Sequence, residues 1–498
     1  DPGHAPYQLR MEVVHHPVLD VVTEQTAWMR LEGGTTTSPR DPTRFVYDTF
    51  GRQVAVAMAG DSVQSPTAVS SYVLGDPVSG IERRARSTVA GPLDIEDARC
   101  FDGMGRHTGD RRRVDATRVL VVGAQRFNTR GEPSVVYDDH TVSGLSCTAA
   151  VPSGVNAQTL RYDALGRRIE IVHADAGLYG EASRQFTLYL PLAMRVWDES
   201  DAAAGENATP TTITMDGLGR RVRLERLPAA GAAPIVTRFT YDGLGNVRGT
   251  LDAEGNEKVQ TYDLLGRIIS VTDPDSGTNT FEYDSAGNKI RTTDGRGKVT
   301  LATYDELDRP LSTEDPDNAE ETRITWKYDS FSECPATGGC GSAGKMTEAT
   351  FSRGSDRYFY TERQQVTALE RSIDGHALRF ETRYDNAQRV LRKQFPAGLA
   401  LDFQLDGLGR VVSVPGVVDQ IAYDGRGLTQ SVAFSNSTTL QYGMDARRRL
   451  TSIEVRDSAS QLLFGQRIAR DRSNNVMGIE DLRGSVEGPS TNASYVYD

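Results

Sequence analysis

Long apolar runs are missing from this 498-residue chain. No stretch approaches the roughly 18 consecutive apolar residues of a membrane-spanning helix, so no helical span is expected. Nor is there a window of ten or more residues with apolar positions at helical spacing and free of Gly and Pro. The nearest case, Leu192-Ala193-Met194-Arg195-Val196-Trp197, follows Pro191 and reads as a strand. Positive charge is in deficit, with 56 Lys and Arg against 68 Asp and Glu and a net charge of −12. An acidic surface repels phosphate backbones, which excludes nucleic-acid binding by the chain as a whole. The clusters Arg111-Arg112-Arg113 and Arg447-Arg448-Arg449 are read as solvated strand or turn faces.

Cysteine is scarce: Cys100, Cys147, Cys334 and Cys340 are the only four. Cys334 and Cys340 share a Gly-rich loop, where one disulfide would suit an exported protein and two free thiols are the alternative. A zinc site there would need two further Cys or His ligands nearby, and none is close. No Gly-x-Ser-x-Gly elbow or phosphate loop occurs. Asp138-Asp139-His140 could ligate a metal but reads as an exposed loop. His15-His16 reads as an edge strand with one ring facing out. The Asp-x-Asp turns at Asp273/Asp275 and Asp315/Asp317 lack the downstream Glu and other oxygen ligands of an EF-hand. The expectation is no catalytic residue, no cofactor and no metal. The chain opens on Asp1-Pro2-Gly3 and closes on Tyr495-Val496-Tyr497-Asp498, so both ends are read as cut from a longer protein.

What the chain has is a repeat, and this overrides the soft prior of about three domains that its length suggests. Tyr-Asp-x-x-Gly-Arg/Asn recurs at Tyr162-Asp163-Gly166, Tyr241-Asp242-Gly245, Tyr262-Asp263-Gly266 and Tyr283-Asp284-Gly287. A copy at Tyr304 puts Asp308 in the Gly position. The steps from Tyr241 to Tyr304 are 21 residues each. Asp252, Asp273, Asp294 and Asp315 open a second set of turns, each 11 residues after a motif Tyr. Two turns and two short apolar runs per repeat make one β-hairpin. Asp at the first corner accepts backbone N–H groups and Gly at the fourth relaxes the exit, so Asp-x-x-Gly fits a type I turn with a following bulge. The Tyr shares a strand face with the residue two before it, as in Phe239/Tyr241 and Phe281/Tyr283, and can bury its ring while its hydroxyl finds a partner. Weaker copies run from Tyr47 to Tyr497-Asp498, with longer connections expected near 170–214 and 330–358.

These residues, in this register, resemble the YD-repeat (RHS-repeat) family over roughly 41–498. Phe101-Asp102-Gly103-Met104-Gly105-Arg106, followed by Gly123 to Pro133, is similar to the middle region of the B component of bacterial Tc insecticidal toxins. The resemblance implies an all-β fold of antiparallel hairpins spiralling into a hollow shell. It also implies a cargo, the C-terminal toxic segment of the same polypeptide. Four parts are expected: an N-terminal β segment (1–40), degenerate repeats (41–160), a regular array (161–330) and further repeats (331–498). The family's self-cleaving aspartate core would follow the repeats, and nothing in this chain resembles it. The implied function is that of a non-catalytic shell segment of a secreted toxin, with other Tc or secretion-system components as partners. The competing reading is adhesion or glycan binding at a cell surface. A continuous spiral suits either one, because it pairs each strand with its neighbours and leaves few open edges.

Overall fold

The structure is a computed structural model that describes residues 8–26, 29–32, 35–36, 41–75, 78–88, 91–201, 209–228, 231–329, 342–483 and 492–495. Cys334, Cys340 and the final Tyr497-Asp498 lie outside the described residues.

Antiparallel strands joined hairpin to hairpin make up almost everything described. One sheet has ten strands, from Val13–His15 to His140–Val142. A second has twenty-three, from Gln125–Phe127 to Ala400–Asp402. A third has seven, from Val418–Tyr423 to Ala493–Ser494. Within them, strands are hydrogen-bonded almost wholly in sequence order. The pairing runs unbroken through residues 160–161 and passes directly from Ile324–Tyr328 to Met346–Phe351. Motif regularity and ladder continuity therefore divide the chain in different places.

The long connections expected near 170–214 and 330–358 each contain a further strand pair among the described residues. Arg184–Leu190 pairs with Ala193–Trp197, and Met346–Phe351 pairs with Gly354–Tyr360. These hairpins carry other turns in place of the motif, so a search for the motif passes over them. Helix is confined to short pieces such as Ala176–Tyr179 and Ala319–Thr322. The latter follows a 3-10 turn opened by Asp315, so the fourth of the second-turn aspartates caps a helical excursion.

Sheets one layer thick bury little. The chain exposes 28802 Å², against roughly 18,000 Å² for a compact monomer of its mass. Of fourteen buried apolar residues among those described, ten lie between Ala57 and Ala124. There the loop Gly144–Ala149 lies over one face: Arg111 donates to Gly144 O and Ala149 O, and Cys147 is bonded to Cys100.

Two readings of the sequence are corrected here. Arg111 is only 7% exposed under the carbonyls of Gly144 and Ala149, and Arg447 and Arg449 are largely buried, the first against Asp175 and Glu199 in distant connections and the second against Asp445 of its own turn. His140 is also buried rather than in an open loop, since it starts a strand and its Nδ1 lies 2.8 Å from Asp138 O. His15 does lie in an exposed edge strand, with Nδ1 3.2 Å from Asp20 Oδ1.

Candidate functional site

Each motif residue has a separate mechanical task, visible at the turn after Tyr262. Gly266 N donates to Asp263 O (3.0 Å) and Asp263 N donates to Arg267 O (2.9 Å), closing a type I turn with Gly266 at φ +77°. Asp263 Oδ1 accepts from Leu265 N and Arg267 N at 2.9 Å each, and Oδ2 accepts from Arg267 Nε at 2.7 Å. These bonds, the backbone N–H of Arg267 foremost, hold the Asp263 carboxyl below the usual carboxylate range. Pairing then skips from Tyr262↔Ile268 to Thr261↔Ser270, which leaves Ile269 as the bulge residue.

Asp163 and Asp216 bind their Arg partners in the same way. At Asp242 and Asp284, Asn246 and Asn288 replace Arg and bind Oδ2 through Nδ2. Gly166, Gly245 and Gly287 all have positive φ.

The Tyr joins one hairpin to the next. Tyr283 Oη donates to Ile268 O (2.7 Å), Tyr262 Oη to Val247 O (2.8 Å) and Tyr241 Oη to Arg221 O (2.7 Å). Where the preceding turn ends in Arg, its guanidinium lies over the ring: Arg220 on Tyr241 at 4.6 Å, Arg309 on Tyr328 at 4.3 Å and Arg410 on Tyr423 at 4.0 Å. Tyr162 ends the strand Ala157–Tyr162, and partial burial raises its phenol pKa.

All these turns lie along one edge of the ribbon of strands, and the sequence reading missed what the later ones touch. The turns between 361 and 475 seat on the opposite edge of strands some 250 to 325 residues earlier, where the ribbon meets itself in a seam. Asn386 N donates to Ser87 O (2.7 Å) and Gly407 N donates to Val114 O (2.9 Å). A Cβ on Gly407 would meet Arg113 O at 2.4 Å, so only glycine permits that approach.

Charge across the seam has one sense, carboxylates on the earlier edge and guanidiniums on the later turns. Arg363 bonds Ala59 O (3.0 Å) and lies 3.5 Å from Asp61, whose side chain is 1% exposed. Arg448 pairs with Asp139 (2.9 Å), Arg472 with Glu181 (3.4 Å), and Arg447 with Glu199 (2.6 Å), lying 3.7 Å from the fully buried Asp175. Tyr179 Oη donates to Asp471 O (3.0 Å) and accepts from Arg449 Nη2 (2.8 Å). Burial would raise the pKa of Glu199, but His173, Gln185 and Arg447 bring it down to about 2. His173 Nε2 lies 3.0 Å from Glu199 Oε1, within ion-pair reach.

Although His173, Asp175 and Ser183 could suggest a nucleophile set, Ser183 is wholly enclosed and its backbone N–H is what Asp175 binds. Among the described residues no group of His, Cys, Asp or Glu could hold a metal ion. The seam's chemistry is that of closure.

Several seam turns also differ in sequence from most free ones. In free turns the residue before Gly is often apolar and exposed, as Met104, Leu165, Leu218, Leu244 and Leu265 are. In three of the seam turns Arg363, Arg447, Arg448 and Arg472 occupy the turn interior. Gln364, Gln388, Arg448 and Asn474 stand at positive φ where Gly would be expected. The seam turn at Gly407 keeps Leu408 and Gly409, and Arg130 stands before Gly131 in a free turn, so interior arginine is only a partial local signal of the seam.

The RHS repeat family model matches residues 262–299, the stretch that begins at Tyr262 and takes in the turns after Asp263 and Asp284. The chain therefore carries an RHS repeat at 262–299. Its fold is that of the Tc toxin shell structures. A crystal structure of TcdB2-TccC3 without the hypervariable C-terminal region aligns over 98% of this chain with a TM-score of 0.81 at 15% identity. Another TcdB2-TccC3 crystal structure aligns over 95% (TM-score 0.77, 16% identity), and a Photorhabdus luminescens Tc holotoxin pore carrying a TccC3 substitution over 96% (0.77, 14%). The chain spans 32%, 29% and 30% of the length of those three chains. No curated protein sequence matches it. No described helix is long and apolar enough to cross a membrane.

Proposed function

We propose that this RHS chain is a non-catalytic segment of a secreted toxin shell that encloses a C-terminal toxic domain of the same polypeptide. The observation that carries this reading is the seam. An adhesive ribbon of hairpins has no need to meet itself, whereas a container wall does. Ion pairs between residues such as Asp61 and Arg363, 302 apart in sequence, make the ribbon double back into a wall. The large exposed area supports a wall with two wet faces over a solid core. Delivery with other Tc or secretion-system components follows from the same reading, as does a secreted or surface location.

Electron microscopy of the purified chain tests it. A curved or hollow envelope is expected, and a filled globule would refute enclosure. A glycan-binding screen on the same preparation is expected to be blank, and specific glycan binding would favour adhesion instead.

A further inference from the structure

We propose that the Cys100–Cys147 disulfide is a redox-sensitive strap holding the junction between the ten-stranded and twenty-three-stranded sheets. The residues between Val142 and Ala157 form no strand. They leave His140–Val142 in the first sheet and enter Ala157–Tyr162 in the second. Cys147, at the middle of this connection, is bonded to Cys100, which is 3% exposed in the strand Ile95–Asp102. Its sulfur packs on Gly80, where a Cβ would come to 3.0 Å from Sγ.

The only other hold on the loop's middle among the described residues is Arg111, which donates to Ala149 O (3.0 Å) and Gly144 O (3.4 Å). That guanidinium is buried, and no ion pair among the described residues offsets its charge. A buried cation without a counter-ion gains little from its two carbonyl bonds once its desolvation is counted, so Arg111 alone is a weak hold. The disulfide supplies the hold. Both ends of the loop border the seam: Arg448 pairs with Asp139, and Asn156 Nδ2 donates to Ala446 O (3.1 Å). A lifted loop therefore loosens the seam at the turn Asp445–Arg449.

The step needs a dithiol reductant. One of its thiolates attacks the half-buried Cys147 sulfur, and Cys100 leaves as a thiolate and takes up a proton. The second thiol of the reductant then displaces Cys147, which is protonated in turn. Two electrons pass to the protein and the reductant ends as a cyclic disulfide.

Hydrogen exchange on the full chain, before and after dithiothreitol, tests this. Reduction is expected to speed exchange at least tenfold over 144–156 and at 445–449, leave 262–299 unchanged, and reverse on reoxidation. Cys147→Ser is expected to show the released pattern with or without reductant. Cys334→Ser/Cys340→Ser is expected to respond to dithiothreitol as the unaltered chain does. Equal exchange over 144–156 in the oxidised and reduced chain would overturn the proposal. So would loss of protection throughout 262–299, which would make the bond a global staple.

Discussion

The guanidinium of Arg267 sits 4.7 Å from the centre of the Tyr283 ring and donates to Asp284 O at 3.2 Å, so the exit of one turn grips the entry of the next. Tyr283 returns the contact through its hydroxyl to Ile268 O. The two side chains thereby join consecutive hairpins at their rim, where ladder hydrogen bonds have ended.

Tyr283→Phe is expected to cost about 1 kcal/mol, the net worth of one hydrogen bond. Tyr283→Ala is expected to cost roughly 2–3 kcal/mol, since the ring and its cationic partner are lost as well. Urea unfolding followed by circular dichroism would measure both. Equal losses would show the hydroxyl alone to matter.

The turn aspartates fix the response to acid. In Asp163, Asp216, Asp263 and Asp284 the folded pKa lies below the ordinary value, chiefly through hydrogen bonds from the Arg or Asn four residues on. A depressed pKa contributes stability that is fully present above the unfolded value near 3.9 and is lost as pH falls through the folded one. The urea midpoint is therefore expected to hold from pH 7 to about 5 and to fall below about 4. Glu199, at about 2, should keep the Arg447 contact ionised further into acid. Midpoints recorded at each pH would check this.

Gly407 and Gly266 separate docking from turn strain. Gly266→Ala, at a free turn with open space around it, meets only the positive φ and should cost about 1 kcal/mol. Gly407→Ala drives a methyl into Arg113 O and Val114 O and should expose amides around 114 and 407 to exchange as that seat opens. Exchange left unchanged by Gly407→Ala would mean that this contact does not close the seam.

Arg447→Ala leaves Glu199 and Asp175 enclosed without their cation and should cost roughly 3 kcal/mol. Adding Glu199→Gln should recover part of that loss. A double-mutant cycle in thermal unfolding would measure the coupling.

The hairpin period was readable because turn chemistry is local: Asp, Gly and Tyr act within a few residues of their own position. The seam was not, because Arg448 and Asp139 lie 309 apart and no local pattern links them. Arginine inside the turns at 363, 447 and 472 marks part of it, while the seated turn at Gly407 keeps its leucine. The Cys100–Cys147 bond spans 47 residues and leaves no spacing signature either, whereas Cys334 and Cys340, close in sequence, offer one. The burial of Arg111 and His140 had the same origin, since a covering loop arrives from elsewhere in the chain.

Because every docked turn has its own seat, the seam counts hairpins. Removing one repeat between Glu199 and Arg363 would advance each later turn by one position, so that Arg447 would no longer face Glu199 and Gly407 would leave the carbonyl of Val114. A hairpin gained or lost beyond the seated turns would leave these contacts in place. Within one full winding, insertions and losses of hairpins must cancel, as teeth on meshed gears must keep their number.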